Sequence, residues 1–185
     1  MLNCIINILM ILINLYPADG YWEAQELQSD IQGVIKLAKY ASWPAGRQDK
    51  KTVIMIAPQS DETYQQALDN AANSRILDKE VEIRRISSID EALCQADIIF
   101  IESGSGSDAG KIIEMVSGRQ ILTITNDVEI LEQGCMFYVK QDHDTGQTTY
   151  LYNKDAVLTS PLGISSHILA PDHKYQKNKS ITQYH

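Results

Sequence analysis

Residues 98–127 read IIFIESGSGSDAGKIIEMVSGRQILTITND, and this stretch decides the fold. Ile98 to Ile101 is a short apolar run bounded by polar residues, the pattern of a strand covered on both faces. Ser107 to Ser117 follows with helical periodicity, and Gly118 stops it. Ile121 to Ile124 is a second apolar strand. A strand joined to the next through a helix of this length is a βαβ crossover, which makes the two strands parallel.

The same alternation extends in both directions. Upstream, Glu23 to Ala41 reads as a helix whose Leu27, Ile31, Val34, Ile35, Ala38 and Ala41 form one apolar stripe, with Trp43-Pro44 ending it. Thr52 to Ala57 reads as a buried strand, Asp61 to Ser74 as an amphipathic helix, and Val81 to Ile86 as a strand with one solvated face. Ser88 caps a helix from Ile89 to Gln95, with Glu91 completing a capping box. Downstream, Asn126 or Asp127 caps a short helix ending before Gly134. Met136 to Val139 and Thr148 to Tyr152 flank a polar loop and read as a hairpin. A closing helical stretch covers Asp155 to Leu169, interrupted by Pro161 and Gly163. The expected fold is α/β: a three-layer sandwich with a mostly parallel sheet of about six strands, one antiparallel edge strand and helices on both faces.

The chain has 185 residues, 44% apolar and 22% charged, with a net charge of −8. That composition suits one folded domain and excludes wholesale disorder. The acidic balance argues against a nucleic-acid surface, which needs a basic face. Ile5 to Leu15 is almost continuously apolar but reaches only about 16 Å as a helix, half of a bilayer core. It matches the apolar region of a signal peptide, although Met1 to Cys4 carry no Lys or Arg. Ala18-Asp19-Gly20 offers a small-x-small cleavage pattern, so residues 1–20 are expected to leave on export. Residues 21–170 then form the domain and 171–185 a polar tail, expected to be disordered.

Of the cysteines, Cys94 and Cys135 remain after cleavage. An oxidising compartment allows one disulfide between them. The order of elements argues against it, favouring two separate buried thiols.

The loop after Ile101 invites a search for chemistry. As a phosphate loop it fails, because Ser105 stands at the first glycine position and Ile112 follows Lys111. As a dinucleotide fingerprint, Gly104, Gly106 and Ala109 fit with Asp127 ending the next strand. Against this, Asp108 would face the pyrophosphate, the unit is not the first of the sheet, and an exported chain would rarely meet the cofactor. No cofactor is expected. Gly104, Ser105, Gly106, Asn126 and Asp127 remain candidates for a small-ligand or partner cleft at the carboxyl edge of the sheet. His143, His167, His173 and His185 lack metal-ligand spacing, so no metal is expected. Ser165, Ser166 and His167 are helix neighbours that do not face one another, so no nucleophilic triad and no enzyme is expected. Tyr138, Tyr150 and Tyr152 lie on the hairpin, where Tyr150 and Tyr152 share a face. They read either as cross-strand packing or as an aromatic contact surface, with Trp43 and Pro44 as further surface candidates.

The chain contains, in order, Ile31-Gln32-Gly33-Val34-Ile35-Lys36-Leu37-Ala38-Lys39-Tyr40 followed by Ala41-Ser42-Trp43-Pro44. Next come Val53 to Ala57, Val81 to Ile86, and Cys94-Gln95-Ala96-Asp97-Ile98-Ile99-Phe100-Ile101. Ile121 to Asp127, Gly134-Cys135-Met136, Tyr152-Asn153 and Ile164-Ser165-Ser166-His167-Ile168-Leu169 complete the series. This series, spanning Ile31 to Ala170, resembles the YfiR family. The chain departs from the family pattern at Cys135, where a glycine is usual, and in the strand around Tyr150. The resemblance implies a periplasmic, non-catalytic regulator, generally dimeric. Such a protein binds the periplasmic part of an inner-membrane signalling protein and represses it. The partner would be a YfiN-like diguanylate cyclase, so that release raises cyclic di-GMP and favours biofilm, or a sensor kinase. With no second apolar segment, the chain is not expected to span the membrane itself. A small-molecule receptor using the carboxyl-edge cleft is the alternative.

Overall fold

A computed structural model describes residues 19–44, 51–57, 73–86, 88–103, 107–142 and 145–169, with positions 65, 68, 69 and 71. Residues 1–18 of the proposed leader, most of the expected helix from Asp61 to Ser74, Gly104, Ser105, Gly106 and His143, Ala170 and the tail 171–185 lie outside the described residues. In chain order the elements are α1 (Asp19–Ala38), β1 (Ala41–Ser42), β2 (Lys51–Ala57), β3 (Arg75–Ile76) and β4 (Lys79–Arg85). Then come α2 (Ile89–Gln95), β5 (Ile98–Ile101), α3 (Ser107–Val116), β6 (Leu122–Thr125) and α4 (Val128–Glu132). The chain continues through β7 (Phe137–Gln141), β8 (Thr148–Tyr152), α5 (Lys154–Thr159) and β9 (Gly163–Ile164).

The large sheet has seven strands in the order β3-β4-β2-β5-β6-β7-β8. β4, β2, β5, β6 and β7 run parallel, as βαβ connections require. Burial follows the strand alternation. Ile98 and Phe100 of β5 join one core with Leu122 and Ile124 of β6, while Ile99 and Ile101 join the other. Every residue of β5 and β6 is buried, which is why these strands read as unbroken apolar runs. On one face α1 contributes Leu27, Ile31, Val34, Ile35 and Ala38; on the other lie Ala92 and Ala96, Ile112, Ile113 and Val116 of α3, and Ile130 of α4. The three-layer α/β sandwich expected from the sequence is therefore present.

Several details depart from expectation. The sheet has seven strands rather than about six, because the two-residue β3 pairs with β4. β3 and β8 are both antiparallel, so both edges of the sheet turn back, not one. The first helix ends at Ala38, and Trp43-Pro44 follows a strand instead of the helix. That strand, β1, pairs antiparallel with β9, so the segment expected to continue as helix to Leu169 is a strand after a single short helix. Pro161, which has no backbone N–H, stands between the two. His167 accordingly lies in an exposed turn. Gly118 does stop α3, with φ at +71°.

α1 packs close against β7 and β8. A Cβ at Gly33 would stand 2.7 Å from Val139 Cγ2 and 3.4 Å from Thr148 Cγ2. Gly33→Ala gains about 1 kcal/mol of helix propensity, but it forces a methyl against a stiff β-branched side chain. Overpacking typically costs about 1–3 kcal/mol. The substitution is expected to lower the urea midpoint, for a net loss of about 1 kcal/mol, with the m-value unchanged.

Candidate functional site

The strand order places β4 and β5 on opposite sides of β2. This reversal falls at the carboxyl ends of β2 and β5, the usual ligand position in open α/β sheets. Alternation assigns the side chains there. Val81 and Ile83, Phe100, Ile124 and Val139 face the α1 core. Arg85, Glu102, Asn126 and Gln141 continue those rows and so face the same side at the carboxyl edge. One polar residue thus closes each apolar row on β4, β5, β6 and β7.

Asp30 descends from α1 onto this row and is fully buried. Its Oδ2 accepts from Asn126 Nδ2 at 2.8 Å and its Oδ1 from the backbone N–H of Gln141 at 3.1 Å. Lys140 Nζ lies 3.6 Å from Oδ2. Asn126 Oδ1 in turn accepts from the Ser103 N–H at 2.7 Å. Asp127, not Asn126, caps α4 by accepting from Glu129 N at 2.8 Å, which leaves the Asn126 amide for the seam. A continuous polar path therefore runs from α1 through β6 to the start of the β5–α3 connection. The buried Gln141 Oε1 has no hydrogen-bond partner among the described residues.

Glu102 is the electrostatically perturbed member of the row. Burial, and then the negative charge of Asp30, push its carboxyl up to about 7, with Arg85 pulling the other way. Part of the Glu102 population is therefore protonated at neutral pH.

The proposed cleft residues divide. Asn126 and Asp127 lie at the carboxyl edge, in different roles, while Gly104, Ser105 and Gly106 are outside the described residues. Asp30, Glu102, Lys140 and Gln141 were not expected. Asp30 had one signal: it follows Leu27 by three and precedes Val34 by four, so a carboxylate occupies a position of the apolar stripe.

The aromatic candidates also divide. Tyr150 and Tyr152 do share a face, the α1 side, opposite Val139 and Phe137. Tyr138 pairs with Leu151 and faces the other way. Tyr152 is buried, and its hydroxyl donates to the Leu169 carbonyl at 3.3 Å, a structural role. Tyr150 and Trp43 are half-buried against the α1-side core, Pro44 is exposed, and Tyr40 is 43% exposed. The buried Trp43 Nε1 has no partner among the described residues. Cys94 and Cys135 are not joined: Cys94 is exposed on α2 rather than buried, and Cys135 is buried, its thiol pushed up to about 12 by burial. At that value Cys135 is an inert core residue.

Among the described residues no three His, Cys, Asp or Glu side chains converge to hold a metal ion, and no helix is long and apolar enough to cross a membrane. The molecule is a doubly wound α/β domain whose polar features lie along its carboxyl edge. It belongs to the YfiR/HmsC-like family, whose model matches residues 28–170. Family membership supports a periplasmic regulatory role in general, among proteins that act as regulators rather than enzymes. No curated protein matches the chain.

Two outcomes are expected. Asp30→Ala leaves the Asn126 amide and the Gln141 N–H without this acceptor and removes the charge beside Lys140, and should cost about 3 kcal/mol in denaturant unfolding. For Glu102, a folded-state pKa raised above the unfolded value stabilises the fold below about pH 4.5; that stability is lost as pH rises through about 7. Glu102→Gln should therefore match the native chain near pH 5 and exceed it by about 1–2 kcal/mol above pH 8, allowing for partial solvent screening.

Proposed function

We propose that this chain is a periplasmic protein that binds the periplasmic part of an inner-membrane signalling protein, a diguanylate cyclase or sensor kinase, and holds it inactive. Residues 1–20 direct export and are removed, residues 21–170 are the working domain, and the protein acts as a homodimer. Membership of the YfiR/HmsC-like family supports this reading. The observation that carries it is the aromatic surface where α1 ends. Tyr40, Trp43 and Pro44 leave the helix there, and Tyr150 packs on the same core from edge strand β8. Partly exposed aromatic side chains backed by a rigid core are the residue types that dominate protein interfaces. Regulation then follows from linkage: a binder that prefers one conformation of the membrane protein stabilises that conformation.

A receptor for a small molecule at the carboxyl edge is the second reading, favoured by the Asp30–Asn126 seam at the strand-order reversal. Ligand and partner readings are compatible, since a ligand that prefers one conformation of the domain also biases partner binding.

The test is capture from detergent-solubilised native membranes with the chain beginning at Tyr21 as bait. The expected result is recovery of a membrane protein with a cyclase or kinase output domain. Tyr150→Ala should weaken that complex by about 2 kcal/mol, roughly thirtyfold, with an unchanged circular dichroism spectrum. Recovery of no membrane protein by folded bait would overturn the partner reading and favour the receptor.

A further inference from the structure

β8 ends the large sheet as an edge strand, and its geometry fits a second copy of itself. We propose that two copies of this chain join edge to edge, β8 antiparallel to β8 about a two-fold axis at Tyr150, so that their sheets become one. This rests on the homodimer proposed above and names its interface. The ladder to β7 fixes which groups β8 offers. The Asp142 N–H donates to the Gln147 carbonyl at 2.8 Å and the Asn153 N–H to the Met136 carbonyl at 2.9 Å, at the two ends of one register. Bonded positions alternate in an antiparallel pair, so Thr149 and Leu151 also turn their backbone groups toward β7. Thr148, Tyr150 and Tyr152 turn theirs outward, where no further strand lies among the described residues. Three outward positions at a spacing of two, with Tyr150 central, are self-complementary. A two-fold copy sets Tyr150 against the second copy's Tyr150 and Thr148 against its Tyr152, closing about six backbone hydrogen bonds.

This edge carries none of the devices that keep strands of different molecules apart. The opposite edge is protected by shortness, since β3 has two residues. β8 has five, in unbroken register with β7, and reads Thr-Thr-Tyr-Leu-Tyr, without a charge, a proline or a bulge. A net charge of −8 opposes self-association over the surface as a whole. An uncharged strand is where two copies meet without like charges facing each other. The side chains agree. Thr149 and Leu151 point away from α1; Thr149 is exposed, and Leu151 is half-buried and packs on neither core. In the two-fold register each Leu151 lies opposite the other copy's Thr149 at a close, non-hydrogen-bonded position, and gains there the apolar neighbour it lacks. A foreign strand would have to bring a matching apolar contact and no charge; a second β8 already has both. On the α1 side the two Tyr150 residues meet at the axis, which joins the aromatic surfaces of both copies into one.

The test uses the whole mature chain. Sedimentation across a dilution series gives the oligomeric state, and site-resolved amide hydrogen exchange on the same samples gives the interface. The expected result is a dimer in which the Thr148 and Tyr152 amides are protected and lose that protection in step with dissociation, on the order of tenfold or more, while Thr149 and Leu151 stay protected by β7. A second measurement reads the register. In a Cys94→Ser background, where the remaining Cys135 is buried, chains with Thr149→Cys are mixed with chains with Leu151→Cys. Mild oxidation should join them into a covalent dimer, because Cα atoms at such opposed positions lie about 4.5 Å apart, within disulfide reach. Either variant alone should cross-link several-fold less. A dimer whose Thr148 and Tyr152 amides exchange as freely as exposed edge amides, or whose mixed pair does not cross-link, overturns the β8 interface and leaves the homodimer itself standing. A chain that sediments as a monomer throughout overturns both, and capture of a membrane protein then judges the partner reading by itself.

Discussion

The buried carboxylate of Asp30 is the constraint on which the arrangement of the molecule turns. A fully desolvated charge costs several kcal/mol unless its lone pairs are satisfied. The fold meets that cost with three donors drawn from two places in the chain, Asn126 and the Lys140–Gln141 pair. Because those donors lie about a hundred residues from Asp30, they can converge only when the sheet is complete and α1 has docked in one register. Apolar packing would tolerate a helix sliding by a fraction of a turn. A carboxylate with fixed donors does not.

That register is set a second time by shape. Gly33 sits one turn along from Asp30 and removes the side chain that would strike Val139. The helix can then approach the sheet closely enough for a short aspartate to reach the Gln141 backbone. Electrostatics and close packing thus select the same position of α1, which is the consistency across levels that makes one structure preferred.

Most of the sheet was legible because its central strands are buried on both faces, and double burial leaves an unmistakable apolar run at Ile98–Ile101 and Leu122–Thr125. The stripe on α1 was legible for the corresponding reason at helical spacing. The short edge elements were not. β3 and the β1–β9 pair are two residues each, too short for any periodicity, and they exist because a distant partner strand is present. The expected helix beyond Thr159 failed for the same reason: tertiary pairing outweighed local pattern once Pro161 had removed a donor. The seam was the least legible feature. Asn126 and Asp127 both read as caps of the following helix, since both residue types cap well; the folded chain gives that place to Asp127 and the Asn126 amide to the seam. The cysteines illustrate burial in both directions, since only Cys135 proved to be a core thiol.

Both proposed working surfaces touch α1, one near its middle and one just past its C-terminus. Asp30 meets the polar seam, while Tyr40 and Trp43 follow the helix C-terminus beside Tyr150. Eight residues of helix separate Asp30 from Ala38, about 12 Å along the axis, and Tyr40 follows two residues later. Helices transmit displacement with little internal loss, because each turn is held by its own hydrogen bonds. A single helix is thus held near its middle by a charge and followed at its C-terminus by aromatic rings.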